Sequence, residues 1–221
     1  SKNWAVWLHE YLEDFPEKQD VLRYVLTANA PETKDNDFTW SDFQTRNNSE
    51  LVAIFGNFIN RVMVLMQKYY DGIVPAPNAY TEADEATLAE LAAAPNKIAQ
   101  LIEQYKFRAA CQEMIQLARL GNKYLADEEP WKLIKTNPNR VATIIHTALQ
   151  VAAGLAITSE PFLPHTAQKL RNMLQLDGNL GWDNVSTLPL LRTGQQLGDS
   201  TLLFEKVEEN AISMQMTKLT T

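Results

Sequence analysis

The sequence predicts an all-α protein: an antiparallel helix bundle with an irregular C-terminal extension. Apolar residues recur at helical spacing over long stretches, the clearest being Phe43, Asn47, Leu51, Ile54, Phe55, Phe58, Val62, Leu65, Met66 and Tyr69 with one polar member. Glycine and proline are sparse, eight and ten in 221 residues, and most fall between the periodic segments. Thr39 with Asp42, and Thr81 with Asp84, repeat the spacing of a helix-capping box, with Asp in place of the usual Glu.

Taken in order, Trp4, Trp7, Leu8, Tyr11 and Leu12 fall at i, i+3, i+4, i+7 and i+8, a helical stripe that Pro16 ends. A second helix carries Val21, Leu22, Val25 and Leu26, and the polar run 29–37 with Pro31 reads as a loop. Thr39 opens the longest element, expected to run about 30 residues or roughly 45 Å to Asp71-Gly72. Gly56 inside it costs about 1 kcal/mol against alanine, which predicts a closely packed neighbour. After a connector with Pro75 and Pro77, Thr81 starts an acidic, alanine-rich helix that Pro95 should break or kink, with 96–104 continuing it. A long helix follows over Phe107–Asp127, with Ala110, Cys111, Met114, Ile115, Leu117, Ala118, Asn122 and Leu125 on its core side, and Glu129-Pro130-Trp131 ends it. Another runs from about Arg140 to Thr158. Pro161 and Pro164 bracket a turn before a shorter helix to about Leu174. Beyond Leu176 the glycines at 178, 181, 194 and 198 and Pro189 punctuate short apolar pieces, and 208–221 reads as a fraying helix or linker. The expected divisions are connector helices over 1–38, the bundle over 39–176, and an extension packing on it over 177–221. Trp4, Trp7, Trp40 and Trp182, within or beside apolar stripes, are expected to pack.

Composition narrows the function. One cysteine, Cys111, rules out an internal disulfide and a cysteine-cluster zinc site, and none of His9, His146 and His165 has a second ligand at i+4. A cytoplasmic protein without a structural metal is the expectation. The longest apolar stretch, Val151–Ile157, is too short to span a bilayer, and the N-terminus lacks the order of a signal peptide, so no membrane partner is expected. Formal net charge is −7, which by itself argues against a large nucleic-acid footprint. Residues 97–140 depart from that average, with eight basic and five acidic residues for a net of +3.

No phosphate-binding glycine loop, HExxH, Gly-x-Ser-x-Gly or metal-spaced carboxylate set occurs, and no catalytic constellation is found. Glu128-Glu129 read as a solvated face, Cys111 as a buried thiol and His146 as a satisfied packing residue. Asn57 and Arg61 are different: four apart on the long helix, they stack on one face, at the margin of the apolar stripe. An amide and a guanidinium there could read base edges. They could equally satisfy nearby backbone or carboxylates, or the arginine could snorkel. Trp131 follows Pro130 at a helix end beside Lys132 and Lys135. It could serve as a stacking platform for an unpaired base, or plug the core as corner tryptophans commonly do.

The same residues carry a family resemblance. Asp37-Phe38-Thr39-Trp40-Ser41-Asp42-Phe43, Asn47-Asn48-Ser49-Glu50-Leu51-Val52 and Gly56-Asn57-Phe58-Ile59-Asn60-Arg61 resemble the first helix of the methionine–tRNA synthetase anticodon domain. Ala126-Asp127-Glu128-Glu129-Pro130-Trp131-Lys132 and Pro161-Phe162-Leu163-Pro164-His165-Thr166-Ala167 resemble its second and third signatures. Gly181-Trp182-Asp183 and Leu203-Phe204-Glu205-Lys206 fit its C-terminal extension, and Ser1-Lys2-Asn3 resembles the residues just after its KMSKS-type loop, with Lys2 where the family usually has Arg. The resemblance covers nearly the whole chain and implies the class I synthetase anticodon-binding fold, joined by 1–38 to a catalytic domain that this sequence lacks. It implies that Asn57, Arg61, Pro130 and Trp131 bind the CAU anticodon of initiator and elongator methionine tRNA, with Lys132 and Lys135 as candidate phosphate contacts. No cofactor is implied for these residues. ATP with magnesium, and zinc as a further candidate, would belong to the catalytic domain, which activates methionine and transfers it to tRNA. Two other readings stand beside it, a helical protein-interaction module and the anticodon domain of another class I synthetase.

Overall fold

The computed structural model describes residues 5–32 and 35–218. The helices are α1 (Leu8–Asp14), α2 (Gln19–Ala28), α3 (Trp40–Arg46), a π-helical segment (Asn47–Gly56), α4 (Asn57–Tyr70), α5 (Glu82–Glu103), α6 (Phe107–Glu128), α7 (Pro130–Leu133), α8 (Pro138–Thr158), α9 (Pro164–Leu174), α10 (Trp182–Val185) and α11 (Glu209–Lys218). Among the described residues the only extended pairing is an isolated antiparallel bridge between Ile73 and Gln196. The fold is the expected helix bundle.

Helix α8 is its axis. Nearly every residue from Val141 to Thr158 is buried, and α4, α5, α6, α7 and α9 pack around it. By length and composition α8 and the continuous run Trp40–Tyr70 would each suffice to cross a membrane, contrary to the expectation from Val151–Ile157 alone, but 94% of the α8 window lies inside the protein. Two of its buried polar side chains, His146 and Gln150, are hydrogen-bonded. His146 Nδ1 donates to Pro75 O at 3.0 Å, its Nε2 faces Gln150 Nε2 at 3.2 Å, and burial lowers its pKa despite the Pro75 bond. Cys111 is buried as expected, and desolvation pushes its thiol up to about 12.

The run from Trp40 to Tyr70 is one helix of 31 residues, as its spacing predicts, but ten of them, Asn47–Gly56, are π-helical. Phe43, Asn47, Leu51, Phe55, Ile59 and Met63 are all buried, one every four residues. In an α-helix four residues advance about 400°, so such a row drifts about 40° per step off the core. The wider turn of i→i+5 bonding offsets that drift and keeps the row facing inward. Gly56 ends this segment; a methyl there would meet Leu51 O at 3.2 Å and Phe204 at 3.5 Å. The tighter approach is at Gly121, where an added Cβ would come within 3.0 Å of three Phe58 ring carbons.

Three expectations are corrected. The α1 stripe does not pack as a whole: Tyr11 is buried, whereas Trp7 is 59% and Leu8 61% exposed, because nothing among the described residues lies over that face; Trp4 is outside the described residues, as are Ser1, Lys2 and Asn3. Leu26 is likewise exposed. Pro95 neither ends nor divides its helix; α5 runs unbroken through it, with the ring buried. The Thr39 cap holds only half a box, since Thr39 Oγ1 accepts from Asp42 N (3.1 Å) while the Asp42 carboxylate takes Arg46 Nε (2.8 Å). At Thr81 the backbone N–H does donate to Asp84 Oδ2 (2.8 Å).

The C-terminal extension is docked by buried and half-buried amides. Asn47 Nδ2 donates to Glu205 O (2.9 Å), and Asn48 exchanges bonds with Val207 (2.9 and 3.0 Å). Gln150 Oε1 accepts from Leu190 N (2.6 Å) and Leu191 N (3.1 Å), and its Nε2 donates to Leu191 O (3.0 Å). Trp40 and Trp182 pack against the core as expected.

Candidate nucleic-acid interface

The site is built where the long helix meets the end of α6. Asn57 and Arg61 sit one turn apart on α4, Asn57 exposed and Arg61 half-buried. At the end of α6, Glu129 adopts a left-handed conformation (φ 43°), and Pro130 opens α7 at a position where its missing N–H costs nothing. Pro130 is buried and Trp131, next to it, is 39% exposed. The corner delivers the indole to α4: Arg61 Cζ lies 5.3 Å from the ring centroid, within cation–π range. The structure therefore brings Asn57, Arg61, Pro130 and Trp131 together.

A buried charge network holds the corner. Arg140, in the first turn of α8, donates to both Asp84 oxygens (2.5 and 2.9 Å) and to Glu128 Oε2 (2.6 Å), and Tyr124 donates its hydroxyl to Asp84. Burial by itself would raise the Asp84 carboxyl, but the bonds from Arg140, Thr81 and Tyr124 outweigh it and hold its pKa below the usual value. Glu128 is thus an internal ion-pair partner rather than part of a solvated face. Glu129 is half-buried and pairs with Lys132 (2.7 Å).

The basic excess of 97–140 is not a surface patch. Four of its eight cations are paired: Lys97 with Glu113 (2.7 Å), Lys123 with Asp127, Lys132 with Glu129, and Arg140 with Asp84 and Glu128. Lys106 and Arg108 lie at the opposite end of the 22-residue α6 from Lys132 and Lys135, about 33 Å away. Lys135 is exposed at the corner.

Sequence reasoning missed two features. Asn122, placed on the core side of α6, bonds the Asn57 side chain (Asn57 Nδ2 to Asn122 Oδ1, 3.0 Å). On the other side of Asn57 a cleft of about 430 Å³ opens between the long helix and the extension, lined by Gly56, Asn57, Asn60, Leu203, Phe204 and Lys206. Asn122 recurs at helical spacing with the core residues of α6, and that amide among apolar positions was the available signal. The cleft had none, because its two walls are far apart in sequence.

Comparisons with known proteins give the family and the fold. The fold aligns with the crystal structure of apo Mycobacterium tuberculosis methionyl-tRNA synthetase at a TM-score of 0.80 and 24% identity, over 86% of this chain and 39% of that one. It aligns with the same enzyme in complex with methionyl-adenylate at 0.78 and 25% identity, over 84% and 37%. Residues 1–63 match the family "tRNA synthetases class I (M)", and 74–220 match "Anticodon binding domain of methionyl tRNA ligase". The methionine–tRNA ligases of Flavobacterium psychrophilum and Christiangramia forsetii are 61% and 64% identical over 99% of this chain, which covers 32% and 33% of them. An all-α bundle of this shape is the anticodon-binding type of domain found in class I synthetases. The chain belongs to the methionyl-tRNA ligase anticodon-binding family. It spans about a third of the length of the curated relatives it matches.

Proposed function

We propose that this chain is the part of a cytoplasmic methionine–tRNA ligase that recognises the CAU anticodon of initiator and elongator methionine tRNA. The observation that carries the reading is the convergence of Trp131, Arg61 and Asn57 on one edge of the bundle. Unpaired anticodon bases splay out when proteins read them. An indole offers a sequence-tolerant stacking surface, the arginine a planar donor fork, and the asparagine both donor and acceptor. Pro130 fixes the direction of the indole. Lys135 is a candidate phosphate contact. Lys132 is a second, since its exposed pair with Glu129 is worth little and can be exchanged. The footprint is local, which reconciles it with a net charge of −7.

Methionine activation with ATP and transfer to tRNA belong to the remainder of the parent ligase, together with ATP, magnesium and any zinc. No group of three or more His, Cys, Asp or Glu among the described residues could hold a metal. Contact with that catalytic part accounts for the exposed Trp7 and Leu8, on a helix within the stretch that matches the class I synthetase family. Hydrogen exchange at residues 5–14 should be slower in the full-length ligase than in this chain; equal rates remove that contact.

The decisive test titrates the chain with a CAU stem-loop while following the Trp131 indole by NMR. The indole resonance should shift, and in binding of the whole methionine tRNA changing the anticodon should weaken affinity more than changing the acceptor stem. Equal effects from both would refute anticodon reading.

A further inference from the structure

Asn122 lies half-buried on α6, facing the long helix. Its Nδ2 donates to two backbone carbonyls, Ile54 O at 2.9 Å and Ala118 O at 3.2 Å. Carbonyls only accept, so the amino end of this amide has one permitted direction, and both its protons are used. Its Oδ1 is left pointing toward Asn57, and there it accepts from Asn57 Nδ2 at 3.0 Å. The Asn57 amide is oriented in turn. Flipping it would set its Oδ1 against the Asn122 Oδ1, two acceptors facing each other with no proton between them. In the observed orientation Asn57 Oδ1 accepts no hydrogen bond from the described residues. It belongs to an exposed side chain at the edge of the cleft with Asn60 and Lys206.

We propose that Asn122 sets which end of the Asn57 amide faces the RNA, so that Asn57 presents an acceptor and selects a base bearing an exocyclic amine, cytosine or adenine, over uracil or guanine. This rests on the recognition reading above and makes it more specific. Cytosine N4 and adenine N6 are donors, whereas uracil O4 and guanine O6 stand in their place as acceptors. A bare asparagine cannot make the distinction, because its two ends exchange by rotation about one bond. The relay from Ile54 O and Ala118 O through Asn122 removes that freedom. Asn122 is a positioning residue in this scheme and need not touch the RNA.

The test uses the 221-residue chain and CAU stem-loops in which a single anticodon base loses its amine (pyrimidin-2-one for cytosine, purine for adenine) or carries a carbonyl instead (uracil, hypoxanthine). At the base that Asn57 reads, the wild-type chain should bind the carbonyl-bearing loop roughly tenfold more weakly, the worth of one well-placed hydrogen bond. In Asn122→Ala that ratio should narrow to about twofold, since the freed amide can turn to suit either base. If Asn122→Ala weakens both loops by the same factor and leaves the ratio intact, Asn122 is structural and the proposal fails. If Asn57→Ala binds CAU as the wild type does, the recognition reading fails, and this proposal with it. A measurement on the wild-type chain needs no variant to fold: one Asn57 side-chain amide proton should exchange slowly with solvent before RNA is added. Free exchange of both protons would overturn the relay.

Discussion

The Arg61 guanidinium lies 5.3 Å from the centre of the Trp131 indole, and through that contact the long helix and the corner after α6 share one recognition edge. The contact orders two side chains before any ligand arrives. Preorganised aromatic and planar groups lose less conformational entropy on binding.

Replacing the indole tests its role directly. Trp131→Ala in the full-length ligase should lose about 1–3 kcal/mol of methionine-tRNA affinity, the usual worth of one base stacked on an aromatic ring. Filter binding decides it. Unchanged affinity in a folded variant would remove Trp131 from the site.

Arg61 and Trp131 should act as a unit. In a double-mutant cycle with Arg61→Ala and Trp131→Ala, read by tRNA affinity, a coupling of about 0.5–1 kcal/mol is expected from the cation–π pair. Strict additivity would mean that the pairing does not contribute to binding.

Gly121 marks the closest approach of two helices. Gly121→Ala places a methyl within 3.0 Å of the Phe58 ring and should destabilise the chain by about 1–3 kcal/mol in urea unfolding. Phe58→Leu in the same chain should recover part of the loss. At Gly56 the neighbours stand at 3.2 and 3.5 Å, so Gly56→Ala should cost less.

The corner should weaken in acid. Asp84, whose side chain is fully buried, is raised by burial but lowered further by Arg140, Thr81 and Tyr124, so its net pKa falls below the ordinary value of 3.8. A carboxyl depressed on folding contributes stability that is fully present above its unfolded pKa of about 3.9 and is lost as pH falls through the folded value. Urea midpoints should therefore drop below about pH 4. Asp84→Asn should flatten that slope while costing about 3–5 kcal/mol at neutral pH, because Arg140 loses a buried partner. An unaltered acid slope would take Asp84 out of the linkage.

Local chemistry was legible wherever it acts within a turn or two of chain. Periodicity located the long helices, the Thr39 and Thr81 caps appeared in the structure, and a spacing of four put Asn57 and Arg61 on one face. The Pro130-Trp131 corner could be seen as a helix end, because proline lacks the N–H that would continue the hydrogen-bond ladder. What could not be read was the identity of each neighbour. The exposure of Trp7 and the pairing of Arg140 with Asp84 and Glu128 depend on elements distant in sequence.

The sequence by itself determined where the long helices lie, and which residues lie along most of their apolar stripes, because capping and periodicity are set by residues three or four apart. Only the tertiary structure decided that Arg61 covers Trp131, that Asn122 turns the Asn57 amide outward, and that half of the positive charge from Lys97 to Arg140 is spent in ion pairs. Hydrogen bonds and ion pairs reach only about 3–4 Å. Which groups come that close is settled by how helices cross, and no residue's local neighbours encode that.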